Sequence, residues 1–275
     1  ASHLGISPFE QLAYAAEPFS IVWMRRGDGR LIGLTYNREE SVVGWHKHPL
    51  PDAVIDDVET EAIVERIAVM PSTAGLQDTL WLVVKRYVDG SYVRYIGRLT
   101  KFWDFNMTID DAHYVDCALR YSGDPVTTVY GLSHLEGREV YGLADGIPIG
   151  PLTVTDGSIE LSAEASNVIV GQGFDSTCET MRLENGAQDG TAQGKEKRFN
   201  AYKFNVWSSY GGELGTYNDD TGEVQWQSLR DLYPQDASQI ETINLFSGII
   251  GPITPEPGYD KNGSVHFRRV RSEPL

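Results

Sequence analysis

Short segments of alternating apolar and polar residues, separated by turn residues, make up most of the chain. Five Asp-Gly pairs stand mostly between β-branched or aromatic residues, at Asp28-Gly29, Asp89-Gly90, Asp145-Gly146, Asp156-Gly157 and Asp189-Gly190. Asp-Gly supplies the positive φ angles that tight hairpin turns require. Because 28 glycines and 13 prolines are scattered along the sequence, helical periodicity nowhere persists for long. The pattern therefore predicts an all-β fold.

Two short segments depart from this pattern and are predicted to be helical. The first runs from Pro8 to Glu17, where Ser7 is a suitable N-cap and Pro18 ends the periodic run. The second lies around Ser228 to Tyr233. Neither segment is long enough to define the fold.

An internal repeat occupies the first hundred residues. Segment 21–36 (IVWMRRGDGRLIGLTY) matches segment 80–100 (LWLVVKRYVDGSYVRYIGRLT), each with a tryptophan-bearing strand, an Asp-Gly turn and a second apolar strand. Further strands are predicted at Ser41 to His48 and at Glu65 to Met70. Units of this kind indicate β-propeller blades, which bury their faces against neighbouring blades. Two blades are too few, so we expect the chain to be part of a longer product; a plain antiparallel meander is the alternative.

The sequence pattern changes near Val126, where the predicted strands become shorter and glycine becomes more frequent. The strands TTVYGL, REVYGLADGIPIG, LTVTDGSIELS and ASNVIVGQGF predict a small β-sandwich or barrel. A hairpin around Gly211-Gly212 and a pairing of INLFSGIIG with SVHFRRV are predicted to follow. The predicted division is propeller-like blades in 1–120, a small sandwich or barrel in 121–215, and C-terminal strands in 216–275 that complete the propeller-like or tip region.

The balance of charges narrows the choice of partners. With 39 acidic and 23 basic residues the formal net charge is −16, which argues against a surface built to neutralise nucleic-acid phosphates or anionic lipid. The simplest role of this charge is solubility. The 2 cysteines are too few for a disulfide framework and are typical of a protein folded in a reducing compartment. No apolar run approaches the roughly 20 residues that span a bilayer.

Few side-chain groupings resemble a chemical site. His46 and His48 share one face of a predicted strand, but a metal site would need a third ligand and the sequence has no companion HxH or CxxC motif. The acidic segment 110–117 (DDAHYVDC) lacks the ligand order and central glycine of a calcium loop. Gly171-Gln172-Gly173 lacks the third glycine of a dinucleotide loop, and no GxSxG elbow occurs. We therefore predict no enzyme activity, no catalytic or metal-binding residues and no cofactor.

One basic cluster stands out in this acidic chain. It follows a glycine-rich stretch and consists of Lys195, Lys197 and Arg198. The cluster is a candidate contact with an acidic surface of a neighbouring subunit, or else a solvated loop.

An ordered set of motifs resembles the tail nozzle protein of short-tailed bacteriophages, also called tail tubular protein B or stabilization protein. The matching segments are Ser20 to Trp23, Asp28-Gly29, Leu34 to Tyr36, Arg38-Glu39, Gly44 to His46, Ile67 to Pro71, Leu80 to Arg86, His134 to Gly137, Val140 to Gly146, Gly157 to Ile159, Val168 to Gly171, Gly190 to Arg198 and Arg271 to Leu275. The resemblance implies the C-terminal portion of a structural virion protein. It also implies a hexameric ring, assembled in the host cytoplasm, that forms a conduit and closure for DNA ejection.

The resemblance also implies partners and a location. The chain would lie in the virion tail, contact tail adaptor and tail fibre proteins, and pass double-stranded DNA without specific binding and without inserting into a membrane. An acidic channel wall would repel phosphate and so favour fast passage. Two alternatives remain: a carbohydrate- or receptor-binding β module, served by the 11% aromatic residues, and a surface-glycan depolymerase, for which no carboxylate pair is singled out.

Overall fold

The computed structural model of the protein describes residues 4–55, 58–71, 77–103, 107–112, 114–184, 190–192, 194–229, 245–255 and 258–270. Within these ranges there are nineteen strands, two single 3₁₀ turns and no α-helix. The small sheets have a propeller-like arrangement, so the predicted fold class is confirmed. None of the described segments forms a helix long and apolar enough to cross a membrane.

Blade 1 is a four-stranded antiparallel meander. Its strands are paired in chain order: β1 (Phe9–Ala15), β2 (Ile21–Arg26), β3 (Leu31–Asn37) and β4 (Val42–His48). The β2–β3 connection turns at Asp28-Gly29, where Gly29 has a φ of 83°. This turn and the predicted strand at Ser41 to His48 are confirmed.

The helix predicted from Pro8 to Glu17 is wrong, because these residues contain strand β1. Leu12 and Tyr14 are exposed, whereas Ala13 packs on the core and Ala15 is buried within it, which is the two-residue period of a strand. The pairing of β1 with β2 and the burial of its alanines override a local helical preference.

Blade 2 has three strands and follows a small hairpin. The hairpin consists of β5 (Pro51–Ile55) and β6 (Val58–Glu61), and blade 2 of β7 (Ile63–Met70), β8 (Thr79–Val88) and β9 (Ser91–Arg98). The repeat is confirmed as two hairpins, β2–β3 and β8–β9. Their tryptophans are not equivalent, however, because Trp23 is buried in the core and Trp81 lies half-buried on the outer face of its sheet.

The two blades are stacked in the same orientation around one core. The Val64 amide donates to the Gly29 carbonyl (2.8 Å) near the hairpin turns, and the Ala16 amide donates to Asp78 Oδ2 (2.7 Å) at the opposite end. Between these points the Gln11 side chain bonds both backbone groups of Ile67. Equivalent ends of the two sheets therefore lie side by side.

The central sheet follows blade 2 and has a different topology. Its strands are β10 (Asp116–Tyr130), β11 (Glu139–Ala144), β12 (Ile147–Thr153) and β13 (Ser158–Gln172), in the spatial order β10-β13-β11-β12. The predicted turns at Asp145-Gly146 and Asp156-Gly157 are confirmed, with positive φ at all four residues. The sheet covers a core built from Val129, Val140, Val168 and Val170 among others.

The C-terminal strands pair differently from the sequence prediction. They are β14 (Ser176–Glu179), β15 (Tyr202–Ser209), β16 (Glu213–Asn218), β17 (Glu223–Ser228), β18 (Phe246–Ile253) and β19 (Val265–Arg269). A sheet of order β14-β19-β16-β17 lies beside the separate pair β15–β18.

Two predicted strand pairings are therefore wrong. β15 pairs with β18 instead of β16, and β19 pairs with β14 and β16 instead of β18. The positive φ angles of Gly211 (66°) and Gly212 (103°) carry the chain from one sheet to the next instead of closing a hairpin. The predicted helix around Ser228 lies, from residue 230 onward, outside the described residues; Ser228 itself ends β17.

Three hydrophobic cores hold the fold together. One lies between blades 1 and 2, the second under the central sheet and the third among the C-terminal strands. The third core contains Tyr202 as well as Leu214, Ile250 and Val265, so residues on both sides of 215/216 contribute to it. The domain boundaries themselves remain a prediction.

Candidate functional site

A buried polar cluster joins blade 2 and the β5–β6 hairpin to the central sheet. Asp52 on β5 is 6% exposed, and its carboxylate accepts from Arg138 Nη2 (2.9 Å) and from the Tyr87 amide (2.9 Å). Arg138 also donates to the Tyr87 carbonyl and to Gln172 Oε1. Gln172 on β13 in turn donates to the Asp52 carbonyl (2.7 Å). Both charges are thus paired and bonded to backbone, which is the condition for burying an ion pair.

A second buried ion pair extends this cluster. Arg86, 4% exposed on β8, donates to Asp116 Oδ2 (2.6 Å) at the start of β10 and to the Pro51 carbonyl (2.8 Å). The blade, the hairpin and the central sheet therefore meet through two arginines. The planar guanidinium suits such a junction because it donates in several fixed directions.

The surface above this cluster is a cleft of about 640 Å³. Its aromatic lining residues are Tyr87, Tyr141 and Phe174. Its acidic lining residues are Asp52, Glu59, Glu61, Asp89, Glu136, Glu139 and Asp175. Arg138, already bonded to Asp52, is the single basic residue in this lining. Arg269 lies over the Phe174 ring (4.8 Å) and Tyr141 is buried, so Tyr87 is the aromatic lining residue most open to a ligand. Aromatic side chains beside carboxylate acceptors are suited to polar ligands with apolar faces, such as sugars.

The histidine pair on β4 forms a compact group over the core of blade 1. His46 Nδ1 lies 2.6 Å from His48 Nε2, and His46 Nε2 lies 3.0 Å from Thr35 Oγ1. Both rings make edge-to-face contacts with Trp23, with centroid distances of 5.7 Å and 4.9 Å. Gly33 lies directly beneath, since a Cβ there would come within 2.0 Å of the His46 ring. The spacing identified in the sequence thus produces a hydrogen-bonded pair that is half-buried.

This environment favours neutral histidines. Burial lowers the pKa of His48 from 6.5 to about 4, with the nearby His46 acting in the same direction, and burial also lowers the pKa of His46. The short contact between the rings needs one nitrogen as donor and the other as acceptor, as neutral tautomers provide. No group of three metal-binding side chains occurs among the described residues.

The acidic segment 110–117 is divided between separate contacts. Asp111 pairs with Arg120 (2.7 Å), whereas Asp116 pairs with Arg86 in the inter-sheet cluster. His113 lies outside the described residues. Burial raises the pKa of Cys117 to about 12, so its thiol stays protonated and unreactive near neutral pH.

The three basic residues predicted as a subunit contact do not act alike. Lys195 and Arg198 are exposed, whereas Lys197 is half-buried. Both backbone groups of Lys197 bond Asp260, and its Nζ donates to the Lys261 carbonyl (2.9 Å). Lys197 thus fixes the segment, and Lys195 and Arg198 are the cations of this cluster that face solvent.

Sequence reasoning identified the histidine pair and the basic cluster but missed the inter-sheet cluster. Its residues are far apart in the chain, with 86 positions between Asp52 and Arg138 and 120 between Asp52 and Gln172. A single sequence carries no signal for such pairings. A scan against protein-family models finds no match, and no curated protein is significantly similar to this chain.

Proposed function

We propose that this protein is a non-enzymatic structural component of the tail nozzle of a short-tailed bacteriophage, where identical subunits form a ring that conducts and closes off DNA. The observation that supports this role is the pair of stacked blades with large apolar residues exposed on their outer sides. Leu12, Tyr14 and Val43 on blade 1 are 65%, 57% and 62% exposed, and Ile96 on blade 2 is 75% exposed. Contiguous exposed apolar surface of this kind is typical of proteins that assemble.

The ordered motifs that resemble those of nozzle proteins support the specific role, and the net charge of −16 suits a conduit that must not retain DNA. In this role the ring would sit below a tail adaptor and beside tail fibres, and the hexameric count comes from the resemblance. The exposed Lys195 and Arg198 remain a candidate subunit contact.

The decisive experiment locates the protein in the virion. Electron microscopy of particles labelled with an antibody against this chain should place the label on the central tail axis, below the portal. Labelling at peripheral fibres, or absence from particles, would refute the proposal. Light scattering of the purified protein should also give a mass several times that of one chain.

The second candidate function is a carbohydrate- or receptor-binding module, favoured by the cleft above the inter-sheet cluster. Saturable binding to a glycan of the host surface, weakened by Phe174→Ala, would support it, since Phe174 lines the cleft. Glu223→Gln, an exposed substitution on β17, is the matched control. Release of reducing ends from host polysaccharide would instead indicate the depolymerase alternative.

A further inference from the structure

Blade 1 has one face in the core and an opposite face that is only partly covered, since Met24 and Ile32 on it are buried whereas Leu12 is exposed. Residues paired directly across the sheet share a face, so Tyr14, Val22, Leu34 and Trp45 form one row and Tyr36 and Val43 the next. Tyr36 and Trp45 are 49% and 40% exposed, and Phe9 stacks on Trp45 at 6.3 Å. The opposite face carries Trp23 and packs on blade 2. We call the open surface the outer face of blade 1.

The outer face of blade 2 combines apolar and basic residues. Its apolar members are Met70, Trp81, Val83 and Ile96, and its basic members are Arg66, Lys85, Arg94 and Arg98. Lys85 lies over the Tyr92 ring (4.4 Å) and Arg94 pairs with Glu65, whereas the Arg98 side chain is exposed. Four cations on one sheet face are notable in a chain whose net charge is −16.

The packing of blade 1 on blade 2 defines the relative placement of two neighbouring sheets, and a third sheet can be added in the same way. Because the two sheets stack in the same orientation, a further blade added beyond blade 2 would present its equivalent ends at the same level. In that arrangement the end of β9 with Arg98 meets the end of β3 near Tyr36. The exposed carboxylates at this end of blade 1 are Glu17, Glu39 and Glu40. An apolar centre, together with opposite charges at this end of the contact, is typical of a specific interface.

From these observations we infer that the outer face of blade 2 in one copy packs on the outer face of blade 1 in a second copy. Each copy then uses two different surfaces, which is a heterologous contact, and such contacts close into rings when the rotation allows. The inference rests on the proposed ring-shaped function and specifies its subunit contact. The basic cluster at Lys195 lies outside this interface.

A mixing experiment tests the inference. Val43→Asp places a charge on the blade 1 face and Ile96→Asp on the blade 2 face, and both positions are exposed enough to leave each chain folded. Each variant alone should be monomeric by mass photometry, with self-association weakened about tenfold or more. An equimolar mixture should form dimers and nothing larger. The intact blade 2 face of the Val43→Asp variant can bind the intact blade 1 face of the Ile96→Asp variant, and no further intact pair of faces remains. Val54→Asp, at a 64% exposed position on the β5–β6 hairpin, should assemble like the natural chain.

Three results would overturn the inference. These are a natural chain that stays monomeric at high concentration, variants that assemble normally, and a mixture that stays monomeric. Normal assembly of both variants would leave the proposed function intact and exclude only this contact. Peripheral labelling in the virion would reject the proposed function even if the mixture formed dimers.

Discussion

The histidine pair is a pH-sensitive element at the scale of single residues. His48 has a pKa of about 4 in the folded protein and 6.5 without the protein environment, so the unfolded chain takes up the proton first as the pH falls. The free energy of unfolding is unaffected by this group above pH 6.5 and decreases from there down to about pH 4. The total loss is about 3 kcal/mol, since a tenfold change in proton affinity corresponds to about 1.4 kcal/mol.

His48→Gln should remove much of this pH dependence. We expect urea unfolding, followed by tryptophan fluorescence, to show a smaller loss of stability between about pH 7 and pH 4.5 for the variant than for the natural chain. Lys203→Gln, an exposed substitution on β15, should keep the natural pH dependence. If the natural chain and His48→Gln lose the same free energy of unfolding over this pH range, His48 binds protons equally well in the folded and unfolded states.

The sequence predicts only part of this residue-scale picture. The two-residue spacing of His46 and His48 already places both rings on one face of a strand. Trp23 and Thr35, which bury and orient the rings, come from β2 and β3. Their proximity depends on strand register, which a spacing rule cannot supply.

At the scale of elements, local turn chemistry was a better guide than apparent helical caps. Four of the five Asp-Gly turns appear as predicted, each with a positive φ at its glycine, which this dipeptide readily adopts. Asp189 of the fifth pair lies outside the described residues. The segment from Pro8 to Glu17 satisfies the rules for a helix start and stop, yet it pairs with β2 and becomes a strand. In such cases the strand partner, which is distant in the chain, decides the local structure. The pairing of β15 with β18, across an interval of more than thirty residues, is another example.

The buried pair Asp52–Arg138 should carry much of the stability of the junction between sheets. Asp52→Ala leaves the 11% exposed Arg138 side chain without its carboxylate, so we expect the free energy of unfolding to fall by about 3 to 5 kcal/mol. Chemical denaturation measures this loss directly. Glu139→Gln, an exposed substitution at the rim of the same cleft, should cost less than about 0.5 kcal/mol.

The double variant Asp52→Leu, Arg138→Met tests the reason for that loss. Removing both charges together leaves no unpaired buried ion, so the double variant should be more stable than Asp52→Ala. An Asp52→Ala variant as stable as Glu139→Gln would show that the pair contributes little to the junction.

At the scale of the whole molecule, an acidic chain carries a cluster of basic residues on the outer face of blade 2. The chain has a net charge of −16, yet the outer face of blade 2 contains four basic residues within a single three-stranded sheet. A ring assembled through the proposed contact would cover this face and would leave acidic surface facing any DNA. A dissociated chain exposes the same face to solvent.

Binding to DNA should therefore depend on assembly. In a gel-shift assay at about 50 mM salt, the assembled natural chain should not retard double-stranded DNA, because an acidic surface repels phosphate. Dissociation by Val43→Asp exposes Arg66, Lys85, Arg94 and Arg98, and we expect weak retardation that disappears at about 200 mM salt. Adding Arg98→Glu to Val43→Asp should reduce this retardation. Retardation by the assembled natural chain would show that the conduit is not acidic or that the basic face is not covered, because the failure of either premise leaves a phosphate-binding surface accessible.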